Sequence, residues 1–277
     1  MSIFLFSVIL FAALLHALWN TLVKSAPDKF LTTTLVTASA TLLAVVLLPF
    51  LPAPLAASWP YIVLSAVLQV VYYTLVARVY HIVDIGQAYP IMRGGAPLLV
   101  AVLNLFIQKE VLPPAAWLGV CVICVGILCM TTLHSRSQRS GVILSLLIAA
   151  IIASYTLVDG MGVRLSHAPA AYTLWIFLLT GLPLLGWSVV RNPARIGRYA
   201  LKNWSYGIIG GASTIVSYGL ALWAMTYAPI AVVAALRETS ILFVTLISVF
   251  ILHETVSRRR ILGACVIAMG AMVLRLA

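Results

Sequence analysis

The stretch Tyr89 to Glu110, YPIMRGGAPLLVAVLNLFIQKE, is an apolar run long enough to cross a bilayer, with Arg93 set inside it. It occurs twice. At Val233 to Glu254 the chain reads VAALRETSILFVTLISVFILHE, and an offset of 144 residues superposes Arg93 on Arg237, Glu110 on Glu254, Gly119 on Gly263, Cys121 on Cys265 and Gly126 on Gly270. From 93 to 126, twelve of thirty-four positions are identical without a gap. Apolar bias alone does not produce that density, so the chain reads as one five-helix unit written twice.

Composition fixes the solvent of that unit. With 63% hydrophobic residues, 8% charged residues and a mean hydropathy of +1.13, the chain is excluded from the soluble globular class, where charged residues are about a quarter. Divided into spans of roughly 20 residues, its 277 residues make about ten spans and leave no segment for a soluble catalytic domain. The net charge of +11 sits in short loops between apolar runs, where topology signals lie, and implies no nucleic-acid partner. Cys121, Cys124, Cys129 and Cys265 all fall inside spans, and nothing completes the half-site that Cys121 and Cys124 suggest, so they are expected to pack as small apolar residues.

The expected helices are 3–23, 30–50, 59–78, 85–107 and 113–133 in the first unit, then 141–159, 170–190, 204–226, 230–252 and 260–276 in the second. The apolar N-terminus lacks a basic n-region and a small-residue cleavage pattern, and its Thr21-Leu22-Val23 returns as Thr156-Leu157-Val158, so it counts as the first span. A polar linker, His134 to Ser140, divides the chain into units 1–138 and 139–277. Five spans per unit is odd, so the second unit enters the membrane from the opposite side. The fold class expected is an all-α membrane protein of ten transmembrane helices in two inverted five-helix repeats, an architecture that secondary transporters use for alternating access. Counting Lys and Arg at alternate faces gives twelve against three, which places both termini outside the cytoplasm.

An ionisable group at mid-bilayer costs from about 2.5 kcal/mol on insertion scales to far more in simulations, so such groups face a cavity or a partner. Arg93 and Arg237 each lie near the middle of a span. Two readings stand for them. Either they tie helices together, with Glu238 neutralising one of them, or at least one holds an acidic group of a substrate, for which the planar guanidinium is suited. Glu238 directly follows Arg237 and points about 100° away on an unbroken helix, a poor angle for pairing with it. Around Arg93, helix 4 carries a polar face of Gly86, Tyr89, Pro90, Pro97 and Asn104, and Pro90, Gly94, Gly95 and Pro97 are expected to loosen its backbone. His16, Trp19 and Asn20 share a face of helix 1, with Ser65, Gln69, Tyr72 and Tyr73 on helix 3, Tyr155 on helix 6, and Ser217 and Tyr218 on helix 8. Together these make a candidate aromatic-walled polar cavity. His16, the one histidine well inside a span, is the candidate for proton coupling. Asp159 and Asp84 are expected at wetted span ends, and Glu110 and Glu254 as end-capping or gating groups. No catalytic motif, cofactor-binding loop or metal-ligand spacing occurs, so neither enzyme activity nor a cofactor is expected.

The doubled unit, each copy closing its fourth helix with a Glu and following it with a Gly-rich helix, resembles the EamA transporters of the drug/metabolite transporter superfamily. The resemblance spans the whole chain. Its local motifs are His16-Ala17-Leu18-Trp19-Asn20, Tyr89-Pro90-Ile91-Met92-Arg93-Gly94 and Leu236-Arg237-Glu238, which look like a bacterial branch of that family. The resemblance implies a ten-helix transporter with a central cavity between helices 1, 3, 4, 6, 8 and 9. Its substrates would be amino acids, amines, nucleotide sugars or other small metabolites, often exported. The expected protein is a multi-pass bacterial inner-membrane transporter, monomer or homodimer, with a small-molecule substrate, surrounding lipid and protons as its partners. An amino acid or related zwitterion is the favoured substrate. A lipid-headgroup flippase, or a membrane partner of another protein, is the alternative.

Overall fold

Proline and short polar side chains set where the helices begin. In the computed structural model, which describes residues 1–82, 85–131, 139–191 and 193–277, α1 (Ile3–Ser25) is capped by Ser2, whose side chain accepts from the Leu5 amide, and α2 (Lys29–Leu47) by Asp28, which accepts from Leu31. Pro114, Pro169 and Pro193 open α5 (Pro114–Cys129), α7 (Pro169–Arg191) and α8 (Pro193–Ala224), where a missing N–H costs nothing. Between them run α3 (Trp59–Ile82), α4 (Ile85–Ile107) and α6 (Arg139–Ser166). The second unit ends in α9 (Ile230–Arg237), α10 (Ser240–Phe250) and α11 (Arg258–Leu276), the last capped by Ser257. Since α9 and α10 together form one span, Ile230–Phe250, the described residues make ten helical spans, eight of them long and apolar enough by themselves to cross a membrane.

Three boundaries differ from expectation for physical reasons. Asn203 adopts φ −125° and ψ 24°, which bends α8 where the span was expected to start, so residues 193–202 form a short preceding arm. The helix α6 continues to Ser166, past Gly160 and Gly162, which are glycines because Ile230 and Tyr172 occupy the space a Cβ would need, and not because the helix ends there. The ninth span is broken in its middle, as described below. The first five residues of the linker, 134–138, and Asp84 lie outside the described residues.

The packing is two-fold symmetric. Helix α1 lies against α8, and its counterpart α6 against α3; α4 lies against α6, and α1 against α9 and α10. On the pseudo-axis, α5 meets α11 and α2 meets α7. The repeated glycines explain the α5–α11 crossing. A Cβ on Gly263 would stand 2.7 Å from the Gly126 carbonyl, and one on Gly126 would stand 3.0 Å from the Gly263 carbonyl. Each glycine thus makes room for the other copy's backbone, the close approach through which helices associate in lipid. Large apolar side chains such as Leu42, Phe106 and Val190 face outward, as an apolar solvent requires.

Candidate functional site

The break in the ninth span shapes the candidate site. Beyond Arg237 the amides of Glu238, Thr239, Ile241 and Leu242 bond three residues back instead of four. The Thr239 hydroxyl donates to the Leu236 carbonyl at 2.7 Å, taking the acceptor a continuing helix would use. The loosening expected at Pro90, Gly94, Gly95 and Pro97 therefore occurs in the other copy, at Glu238–Thr239, whereas α4 stays helical from Ile85 to Ile107 with both prolines inside it. Pro97 still removes the amide that would bond the Arg93 carbonyl.

Freed from the helix, Glu238 reaches across to the first unit. Its Oε2 lies 2.9 Å from Arg93 Nε, with residue exposures of 5% and 8%. The contact is one of charge, not of hydrogen-bond geometry: Arg93 Nε and Nη2 and Glu238 Oε2 are buried without a hydrogen-bond partner. A cation and an anion thus stand side by side at mid-span, each with bonding capacity unused. The Tyr89 hydroxyl approaches Arg93 closely enough to hydrogen-bond it, and Tyr72, Tyr155 and His16 lie within its electrostatic reach.

Arg237 is placed differently. Half-buried at the end of α9, it lies over the Tyr218 ring with its guanidinium carbon 4.9 Å from the centroid. The Tyr218 hydroxyl meets Asp159 Oδ2 in a close hydrogen bond, Tyr172 donates to Oδ1 at 3.3 Å, and Gln69 Nε2 reaches Oδ2 at 3.5 Å. Asp159 is fully buried, which corrects the expectation of a wetted span end. The signal was present in the Ala168-Pro169 turn, which marks the true end of α6 and leaves Asp159 inside it.

The remaining candidates divide by where they point. His16 lies within electrostatic reach of both Arg93 and Arg237, and its Nδ1 accepts from the Trp19 indole at 3.4 Å. Tyr72 and Tyr155 meet edge to face at 5.8 Å and join the Arg93 surroundings. Asn20 turns back to donate to the His16 carbonyl at 2.7 Å, and Ser217 donates to the Ala12 carbonyl of α1 at 2.7 Å, so it ties α8 to α1. Tyr73 touches Tyr72 at 5.2 Å but is 37% exposed on the outer side of α3. An apolar cleft of about 670 Å³, lined by Phe4, Leu112, Trp223, Tyr227 and Pro229 among others, contains none of these residues.

The C-terminal end of the fourth span carries the same device in each copy. Lys109 and His253 adopt left-handed φ angles of 53° and 51°, and each turns the following glutamate toward the first helix of the other copy. Glu110 accepts from Asn104 at 2.6 Å and pairs with Arg164 of α6 at 3.5 Å; Glu254 pairs closely with Lys24 of α1. Arg164 also donates to the carbonyls of Met225 and Ala228 at 2.7 and 3.0 Å. Lys24 holds the exposed Glu254 carboxyl below the usual carboxylate range, with a further bond from Ser248.

Ten apolar spans in two inverted copies, with paired charges buried where the copies meet, define a membrane transporter of the drug/metabolite type. The EamA-like transporter family model matches the chain over residues 3–132 and again over 139–276, and the chain belongs to that family. The family consists of transporters, not enzymes. One crystal structure of a protein shares the fold at a TM-score of 0.75 and 17% identity, covering 100% of this chain and 98% of the other. No curated protein matches the sequence.

Proposed function

We propose that the protein moves a small zwitterion, an amino acid or close relative, across a bacterial inner membrane by alternating access, with units 1–138 and 139–277 as the two moving halves. The observation that carries this reading is the buried Arg93–Glu238 contact, whose Nε, Nη2 and Oε2 atoms lack hydrogen-bond partners. An α-carboxylate suits the guanidinium groups of Arg93 and Arg237, and an ammonium suits Glu238. Tyr72, Tyr89, Tyr155 and Trp19 wall the apolar remainder, with Tyr218 behind Arg237. Both termini face away from the cytoplasm, which puts the Lys24–Glu254 pair at the cytoplasmic end and the Glu110–Arg164 pair at the other. Opening one end would break its pair while the other holds.

The reading is tested by thermal shift of the purified protein against amino acids, amines, carboxylic acids and nucleosides. Amino acids should raise the midpoint, whereas their separate amine and acid fragments should not. Stabilisation by monofunctional amines or acids alone would contradict a site for both charges.

A further inference from the structure

Asp159 is a carboxyl group inside a span, 0% exposed, and among the described residues it forms no ion pair. A charge in that position costs several kcal/mol unless matched. What surrounds it is known from every packed element. From α3 come Ser65 and Gln69, from α7 Tyr172, from α8 Tyr218 and from α9 Arg237. Helix α4 presents Arg93, whose reach is to Tyr155 and Glu238 instead, and Ser58 of the turn at Ala56–Ser58 is bonded to the Leu55 carbonyl. Asp159 thus sits in a ring of neutral hydroxyls and an amide, with one guanidinium at a distance.

That guanidinium is connected to it through one side chain. The Tyr218 hydroxyl contacts Asp159 and the Tyr218 ring carries Arg237 on its face. We propose that Asp159 is a proton-binding site coupled through Tyr218 to Arg237, so that protonation of Asp159 and capture of an acidic group by Arg237 favour each other. On protonation an O–H bond forms at a carboxyl oxygen of Asp159 and its negative charge is removed. The Tyr218 hydroxyl, which donates to the ionised form, is able to accept from the protonated one. With Asp159 neutral, the positive charge of Arg237 is no longer offset across the Tyr218 ring and is available to an incoming carboxylate. By linkage, a bound carboxylate raises the affinity of Asp159 for its proton by the same factor. His16, whose Nδ1 already accepts from Trp19, is not required for this exchange.

The coupling to an acidic group rests on the transport reading above, but the proton site does not, and the experiment separates them. Infrared spectra of the purified full chain, without added substrate, are recorded from about pH 6, above the ordinary aspartate range, to alkaline pH with and without carboxyl-labelled aspartate. The expected result is a protonated-carboxyl stretch that shifts with the label, disappears as pH rises, persists in His16→Gln and is missing from Asp159→Asn. Should Asp159→Asn fail to fold, Asp159→Glu decides: the band must then lose its sensitivity to the aspartate label. Absence of the band from the wild type at every pH, or its survival with label sensitivity in either Asp159 variant, overturns the proposal. In a second arm, affinity for the amino acid giving the largest thermal shift should tighten by about fivefold or more as pH falls, and this dependence should flatten in Asp159→Asn. If no amino acid shifts the protein, the transport reading fails while the infrared result still judges Asp159.

Discussion

Arg93 and Arg237 stand at the same position of one unit written twice, yet one is buried in an ion pair and the other lies half-buried over a ring. The cause is the next residue. In the first copy Gly94 faces Leu128, with room for a Cβ only 3.1 Å from the Leu128 Cγ; in the second copy the same position is Glu238, which crosses over to Arg93. The glycines at 119, 126, 263 and 270 behave in the opposite way, since they stay identical and meet each other's backbones across the pseudo-axis. What the copies share holds them together, and where they diverge they shape the candidate site.

The contrast between the arginines is broken most severely at Glu238. Glu238→Gln leaves a buried guanidinium without its counter-charge and should cost about 3–5 kcal/mol, read as early unfolding in a denaturant titration in detergent. Arg93→Ala should cost a similar amount, and a joint Arg93→Met, Glu238→Met variant should recover much of the stability without transport. Next comes the crossing. Gly263→Ala drives a Cβ onto the Gly126 carbonyl and should destabilise by about 1–3 kcal/mol, whereas Gly186→Ala, which meets nothing within 4 Å, should be neutral or stabilising. Arg237→Ala loses a ring contact, worth up to about 2 kcal/mol, together with the distant charge that offsets Asp159, while transport is lost. The smallest effect belongs to the exposed Lys24–Glu254 pair. Because the Glu254 carboxyl titrates below its ordinary value of 4.5, the pair contributes fully above that pH and is lost as pH falls through the lower folded value. In Lys24→Ala the Glu254 titration, followed by NMR with labelled glutamate, should move up toward 4.5.

The spans and their inversion were legible because hydrophobic length and the repeated Arg, Glu and Gly positions are local signals. The left-handed turns at Lys109 and His253 follow the same repeat, although nothing in those side chains announces them. The break was misplaced because Pro90 and Pro97 are strong local signals for loosening, whereas the competing Thr239 hydroxyl is a weak one. Pairing of Glu238 with Arg93 joins residues of different copies, and no periodicity along one helix contains it. Asp159 was missed by ending α6 too early, at glycines that proved to be packing sites for Tyr172 and Ile230.

The most direct test is to measure Arg93→Ala and Arg237→Ala side by side for unfolding and for counterflow, in proteoliposomes, of the amino acid that stabilises the wild type most. The account expects both variants to lose counterflow, with Arg93→Ala markedly less stable and Arg237→Ala close to the wild type. Wild-type counterflow in Arg237→Ala, or equal loss of stability in the two variants, would contradict it.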